Sequence, residues 1–562
     1  MDRRSFLERA GAAVLGPSLW PGTSYAELSD QLNVTLTLDG RDYVYAMNKG
    51  VDLGDFVAPR FTQRCVRVDH PESSLSVFFR PDRTSERIEI VVELGRMWGE
   101  ANQQARHLNA YRAVIRNGAR ELATLKVPYH WWFSRWRWQS SPRPIIRTPQ
   151  QLLDAKLIPP YRPAAATHAA PARQSKPPVY NHPMDTGGLQ TGVGAAGERL
   201  ELGPITEYQG DYIITGRSES LAALRAQAEA AGSMPMHVRD EKTNAPVDFF
   251  QYPELDWYYM PAGTPWIKGP QTIRDSDGNV TCEWILDSAH DPALNYIPYL
   301  LTDDPYHLEE LQFQGNQVLG WTAYHRAVNK LQIVYPSETR SFAWSMRTMF
   351  QLATVTPTKT PIWLKPRSYW KHIVDDNLTW FTAHYVKNPS PVTAIFNSAT
   401  RIDNLASWQE DFVAFCLGWG VLLGFEDWRP AFRWKLGSTL ARSNGKSGWP
   451  RQWCVPYSLS LAKVEPLDML YAEKSPPDTW YESWKEVWDD FRANPENEVK
   501  LPFPDSTSWA QHNSPDFILY TRGALALATH LGVDEAHEPY AFVTGMTDRM
   551  EYMTYKWAVQ GI

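Results

Sequence analysis

Two kinds of hydrophobic patterning divide this chain. Across residues 32–139 apolar and polar residues alternate over short runs, the period of strands that bury one face. The run 33–38 alternates and stops at Asp39-Gly40, a two-residue hairpin signal. Residues 43–47, 65–68, 75–79 and 87–94 carry the same character, and Asn117-Gly118 between 110–116 and 120–127 predicts a second hairpin. Short strands at this spacing predict an N-terminal β-sandwich, placed at residues 29–150. The region ends in HWWFSRWRW, residues 130–138. Alternation there puts Trp132, Ser134, Trp136 and Trp138 on one face and Trp131, Phe133, Arg135 and Arg137 on the other. So large an aromatic surface predicts a seat for the next domain, with a sugar-binding strip as the alternative.

Beyond residue 196 the pattern becomes helical and a loose repeat emerges. Each copy is an apolar helix end, a short turn with Gly, Asp or Pro, and a new helix; copies fall at 211–232, 299–311, 350–357, 421–430 and 524–544. Their uneven spacing disfavours a strict solenoid and predicts helical hairpins with variable loops, closing in a ring across 196–562. In the second copy Pro305 suits a first helical position, Asp304 can cap the free amides, and Glu309 and Glu310 favour the positive helix end. Asp303 and Asp304 are read as caps rather than chemistry. Trp480, Trp484 and Trp488 recur every fourth residue, predicting an amphipathic helix with its stripe inward. Between the two regions, residues 151–195 are rich in Pro and Ala and predict an extended linker.

A length of 562 residues exceeds one ordinary core and predicts two or three domains. A formal charge of −7 without a basic stripe argues against nucleic acid as a partner. The 25 tryptophans and 26 tyrosines exceed ordinary core needs and fit a cleft that stacks on sugar rings. Four cysteines, Cys65, Cys282, Cys416 and Cys454, lie far apart without CxxC spacing. Free buried thiols are expected, with one disulfide as the alternative, and no zinc site and no cofactor. No stretch suits a membrane span.

Residues 1–26 contain Asp2-Arg3-Arg4-Ser5-Phe6-Leu7, a modest apolar stretch and Ser24-Tyr25-Ala26. This resembles the twin-arginine export signal of bacteria, and implies passage through that machinery to the periplasm or outside the cell. The sandwich-then-hairpins order and the turn YLLTDDPYHLEEL, residues 299–311, resemble the six-hairpin, or (α/α)6-toroid, proteins of carbohydrate metabolism. The fold class so implied is a multidomain chain, an N-terminal β-sandwich followed by an all-α (α/α)6-like toroid. A sandwich placed first resembles several glycoside hydrolases and phosphorylases, whereas many toroid polysaccharide lyases carry their β-domain afterwards. The likeness concerns architecture and brings no catalytic signature.

In a ring of hairpins the polar segments ahead of the inner helices would line a central funnel; these are 197–211, 236–240 and 287–296. Hydrolysis of a glycosidic bond needs a carboxylic acid and a carboxylate, which Glu201, Glu207, Asp211 and Asp287 could supply. A lyase needs a His or Tyr base and an Arg, Asn or His that neutralises a uronate carboxylate, roles open to Asn181, His182, Arg199, Tyr208, His237, His290 and Tyr296. The expected catalytic set is Glu207, Asp211, His237, Asp287 and His290. The expected substrate-binding set is Arg199, Glu201, Tyr208, Tyr296, Trp344 in the stripe Arg340-Trp344-Arg347, and Trp449 with Trp453 in a Gly-rich loop. Against each stands a structural role: carboxylates before helices cap them, Arg199 between glutamates forms an ion pair, and tyrosines fill cores. The function expected is hydrolysis of a polysaccharide or oligosaccharide; the alternatives are a polysaccharide lyase and a non-catalytic periplasmic glycan binder.

Overall fold

Asp39 and Gly40 both hold positive φ, 48° and 79°, and their turn joins β1 (Leu32–Leu38) to β2 (Arg41–Ala46) with Leu38 opposite Arg41. Asp and Gly tolerate this conformation, so the dipeptide dictates a tight, twist-matched hairpin. The computed structural model describes residues 31–95, 97–98, 107–162, 177–192, 199–240, 242–252, 284, 286–321, 339–387, 392–393, 406–456, 459, 461, 481–493, 517–547 and 554–562. The expected signal segment, Cys282 and Trp480 lie outside them. Next come β3 (Val51–Ala58), β4 (Phe61–Asp69), β5 (Leu75–Pro81), β6 (Ile88–Leu94), β7 (Met97–Trp98), β8 (Tyr111–Asn117), β9 (Arg120–Val127), β10 (Ser134–Gln139) and, far along the chain, β11 (Arg239–Asp240). Two antiparallel sheets result, β2-β1-β8-β9 and β10-β6-β5-β4-β3, while β7 and β11 make a separate parallel pair.

Period-two alternation decides which face of the larger sheet goes where. Ile90 and Val92 of β6, Val77 and Phe79 of β5 and Trp136 of β10 are fully buried, as are Val34, Leu36, Ala113 and Ile115 of the smaller sheet. The indole of Trp136 donates to the Tyr111 hydroxyl across the sandwich at 2.7 Å, which fixes that face as inward. The intervening residues point the other way: Arg80, Arg135 and Arg137 meet the helices, while Glu89 and Glu93 pair with arginines beside them.

The helices begin with α1 (Pro149–Asp154) and continue as five contacting hairpins among the described residues. These pair α2 (Glu207–Thr215) with α3 (Ser218–Ala230), α4 (Tyr296–Thr302) with α5 (Pro305–Trp321), and α6 (Thr339–Val355) with α7 (Arg367–Phe381). The other two pair α8 (Ser407–Leu422) with α9 (Arg429–Ser443) and, after α10 (Trp484–Ala493), α11 (Phe517–His530) with α12 (His537–Thr547). The five turns coincide with the five repeats in the sequence. Gly216 at φ 69° closes α2 and Asp303 at φ 55° closes α4, both left-handed C-terminal caps. Helix α8 is buried almost throughout because it packs against α6, α9 and α11 together. None of the described helices is long and apolar enough to cross a membrane.

A dense network of buried charges lies in the seam between sandwich and helices. Glu309 of α5 receives Arg80 at 2.7 Å, Arg135 at 2.5 Å and Arg239 at 2.7 Å. Glu310 beside it receives Arg135 at 2.6 Å, and Arg137 reaches Asp304 at 2.8 Å. Burial pushes both glutamates up, but the arginines (and, for Glu310, His237) outweigh it and hold both carboxyls well below the ordinary range. The strip 130–138 is therefore the domain seat. Asp304 does cap α5, bonding the Tyr306 amide at 3.2 Å, but it is also part of this network.

The described parts of the Pro/Ala-rich segment are packed. Leu152, Leu157, Ile158 and Tyr161 are buried, and Tyr161 bridges to Val559 near the C-terminus. Burial of these four side chains overrides the extended path that prolines favour.

Candidate functional site

Residues 288–290 form a single 3₁₀ turn, and Asp287 before it has the extended backbone of a cap. Its Oδ1 accepts the His290 backbone N–H at 2.7 Å, and its Oδ2 meets His290 Nδ1 at 2.7 Å. A carboxylate at Nδ1 draws the proton to that nitrogen and leaves the Nε2 lone pair free to accept. Among the described residues nothing bonds Nε2, and the His290 and Asp287 side chains keep 10% and 17% exposure, enough for proton exchange with solvent. Burial pushes the Asp287 carboxyl up, yet the hydrogen bonds from His290 and the charge of Arg340 hold it below the usual range.

This turn packs on the first turns of α6. Ser288 and Ser341 share a hydroxyl hydrogen bond, and Arg340 places its charge near Asp287. Two turns along α6, Arg347 donates to the Asp291 carboxylate at 3.0 Å, and Thr348 donates to the same oxygen at 3.0 Å. Burial raises the Asp291 carboxyl to about 6 despite those donors. Thus Asp287 and Asp291, four residues apart, face Arg340 and Arg347, seven apart on one helix.

Two of the three expected segments converge here. Arg347 also donates to the Gly203 carbonyl at 2.6 Å, and Gln209 of α2 donates to the carbonyls of Ala293 and Leu294 at 2.7 and 2.9 Å. The third segment lies elsewhere. His237 is fully buried at the domain seam, with Nδ1 3.0 Å from the Phe133 carbonyl and Nε2 2.8 Å from Glu310.

Most other expected site residues have structural partners. The Glu207 carboxylate caps the C-terminal 3₁₀ turn, accepting the Tyr555 and Lys556 amides at 2.8 and 3.2 Å. Asp211 is held by Arg217, by Ser220 at 2.6 Å and by Thr215 at 3.0 Å. Arg199 pairs with Glu201 at 2.6 Å and ties down the Gln190 and Gly192 carbonyls. Tyr296 donates to the Leu157 carbonyl at 2.8 Å beneath Trp419, and Tyr208 is buried at the start of α2. Trp344 is buried against Phe412. Trp449 is enclosed by Trp484 and Trp488 of α10 in a small separate core, its indole bonded to the Trp453 carbonyl at 3.0 Å. Nothing places Trp449 or Trp453 beside the 287–291 turn.

Asp291 stands out in sequence as a polar neighbour of Asp287 and His290, whereas Arg340, Ser341 and Arg347 were not among the expected site residues, although the Arg340-Trp344-Arg347 spacing singled out that helical face. The cysteines Cys65, Cys416 and Cys454 are buried free thiols, and burial pushes Cys65 up to about 11. Comparison with family models, with curated proteins and with solved structures returned no match.

Proposed function

We propose that the chain is an exported carbohydrate-active enzyme in which His290 is the catalytic base, and that it cleaves a uronate-containing glycan by β-elimination. One observation carries the reading: Asp287 orients Nδ1 of His290 while Nε2 bonds to nothing among the described residues. That is how an imidazole is prepared to take a proton. Nε2 removes the proton from the carbon beside the uronate carboxylate, and the electron pair forms a carbon–carbon double bond as the glycosidic carbon–oxygen bond breaks. The imidazolium returns that proton to the leaving oxygen. Positive charge from Arg340, close to the dyad, offsets the charge that builds on the uronate carboxylate.

The paired-carboxylate hydrolysis expected from sequence has less support, because Glu201, Glu207 and Asp211 are each committed to donors of the fold. A narrower hydrolytic reading is favoured by one observation. Asp287 is held low while Asp291 is raised to about 6, the divergence that distinguishes a carboxylate base from a carboxylic acid. Five contacting hairpins fit closure into an (α/α)6-like ring, and the Arg3-Arg4 segment fits twin-arginine export to the periplasm or medium. An assay on a panel of polyuronates and neutral polysaccharides separates the readings. Unsaturated-uronate absorbance supports elimination, reducing ends without that absorbance support hydrolysis, and retention without product supports a binder.

A further inference from the structure

Apart from the dyad, a groove of about 920 Å³ opens where residues 242–251 meet 358–372. Among the described residues its charged lining is one-sided: Lys242, Lys359, Lys365 and His372 stand against a single carboxylate, Asp248. The chain as a whole is negative, so the groove runs against the protein's own field. Lys365 is a built feature. It is only 5% exposed, and its backbone N–H and carbonyl both bond the Gln312 side chain at 2.9 Å. Its ammonium lies 3.0 Å from Asp248, whose carboxylate is shared with the amides of Phe250 and Gln251 at 2.9 and 3.3 Å. Lys242 and Lys359 are exposed and paired with no carboxylate among the described residues. Beside them Phe250 lies flat on His372, ring centroids 4.5 Å apart and planes 15° from parallel, with 37% of the residue exposed. His372 in turn faces Asp376 at 3.5 Å.

A flat apolar face beside fixed and free cations suits a ligand with flat apolar faces and regularly spaced anions. We infer that this groove binds an acidic oligosaccharide chain, of uronate or sulfated sugars. The inference rests on the proposed function only in naming a sugar; the charge and ring argument is independent of His290. The ammoniums recognise the anionic groups, and the exposed Phe250 ring takes the carbon face of a sugar.

The test is calorimetric binding of polygalacturonate oligosaccharides to the full chain and to the Lys242→Ala/Lys359→Ala and Phe250→Ala variants, with a neutral glucan and duplex DNA as comparison probes. All three positions lie at the surface, so unchanged thermal unfolding is expected and is checked first. The expected result is about tenfold weaker binding in the double-lysine variant, steeper salt dependence in the parent chain, and weaker binding in Phe250→Ala. Equal binding by parent and double variant, equal affinity for the neutral glucan, or preference for DNA would each overturn it. Acidic-glycan binding without turnover would sink the proposed function and leave this inference standing. Turnover with binding indifferent to Lys242, Lys359 and Phe250 would do the reverse.

Discussion

The carboxylate of Asp287 holds His290 twice, by its backbone N–H and by its ring Nδ1, both at 2.7 Å. The first bond caps a turn and the second sets a tautomer, so one side chain does a structural and a chemical job. Asp287→Asn keeps an acceptor for the backbone amide but gives up the charge that stabilises a protonated ring. Turnover is expected to fall by roughly a hundred- to ten-thousand-fold, while thermal unfolding moves little. Steady-state rates beside a melting curve check this.

Glu309 stands among Arg80, Arg135 and Arg239, and none of the four side chains is more than 2% exposed. Removing it leaves three buried cations short of a partner. Glu309→Ala is expected to destabilise the chain by about 3–5 kcal/mol, read as a lower denaturant midpoint. A midpoint like that of the parent would show that Glu89, Glu310 and Glu93 suffice to hold the three arginines.

Two buried histidines set the acid limit. His130 accepts from the Tyr111 hydroxyl at 2.8 Å and lies 3.0 Å from the Ser134 carbonyl, and burial lowers it to about 4. His307, beside the Asn295 amide, is lowered to about 3 by burial and then by Arg137. Both stay neutral when folded and gain a proton on unfolding, so stability falls as pH drops from about 6.5 toward 4. Asp291, raised to about 6, works the other way, because protonation relieves its burial as pH falls below about 6. Two rings outweigh that one carboxyl, so these three groups together lower stability as pH falls toward 4. Denaturant titrations at neutral, mildly acidic and more acidic pH should show midpoints falling in that order. His130→Gln, which cannot titrate, should flatten the slope.

Close helix approach gives a paired test. A Cβ at Gly420 of α8 would stand 2.6 Å from the Phe350 ring of α6, whereas one at Gly545 of α12 meets nothing within 4 Å. Gly420→Ala is expected to cost about 1–3 kcal/mol through overpacking. Gly545→Ala should be neutral or stabilising by up to about 1 kcal/mol, since alanine is the better helix former. Equal effects from the two would deny the tight packing of α8 on α6.

What was legible in the sequence is what is local in physics. Asp39-Gly40, Asn117-Gly118 and the five hairpin turns are written by residues that tolerate or cap particular backbone shapes. Strand β3 went unread because a bulge between Asp52 and Asp55, with Gly54 at φ 88°, breaks its alternation. The seam was half legible: Arg135 and Arg137 stood out on one face of their strand. Their partners Glu309 and Glu310 read as helix-dipole acids, because nothing local says that a strand some 170 residues earlier supplies the arginines. At the site, Asp287 and His290 were legible as neighbours in sequence. Glu207, Asp211 and His237 looked alike from sequence alone, and only the fold shows the two carboxylates accepting from distant or local donors and the His237 ring held between the Phe133 carbonyl and Glu310.

The most direct measurement is the unsaturated-uronate absorbance released from polyuronates by the full chain and by His290→Ala. The account predicts product from the parent chain and a loss of at least about a hundredfold in His290→Ala, with binding of the polymer retained. Full activity in His290→Ala, or reducing ends appearing without the unsaturated product, would contradict it.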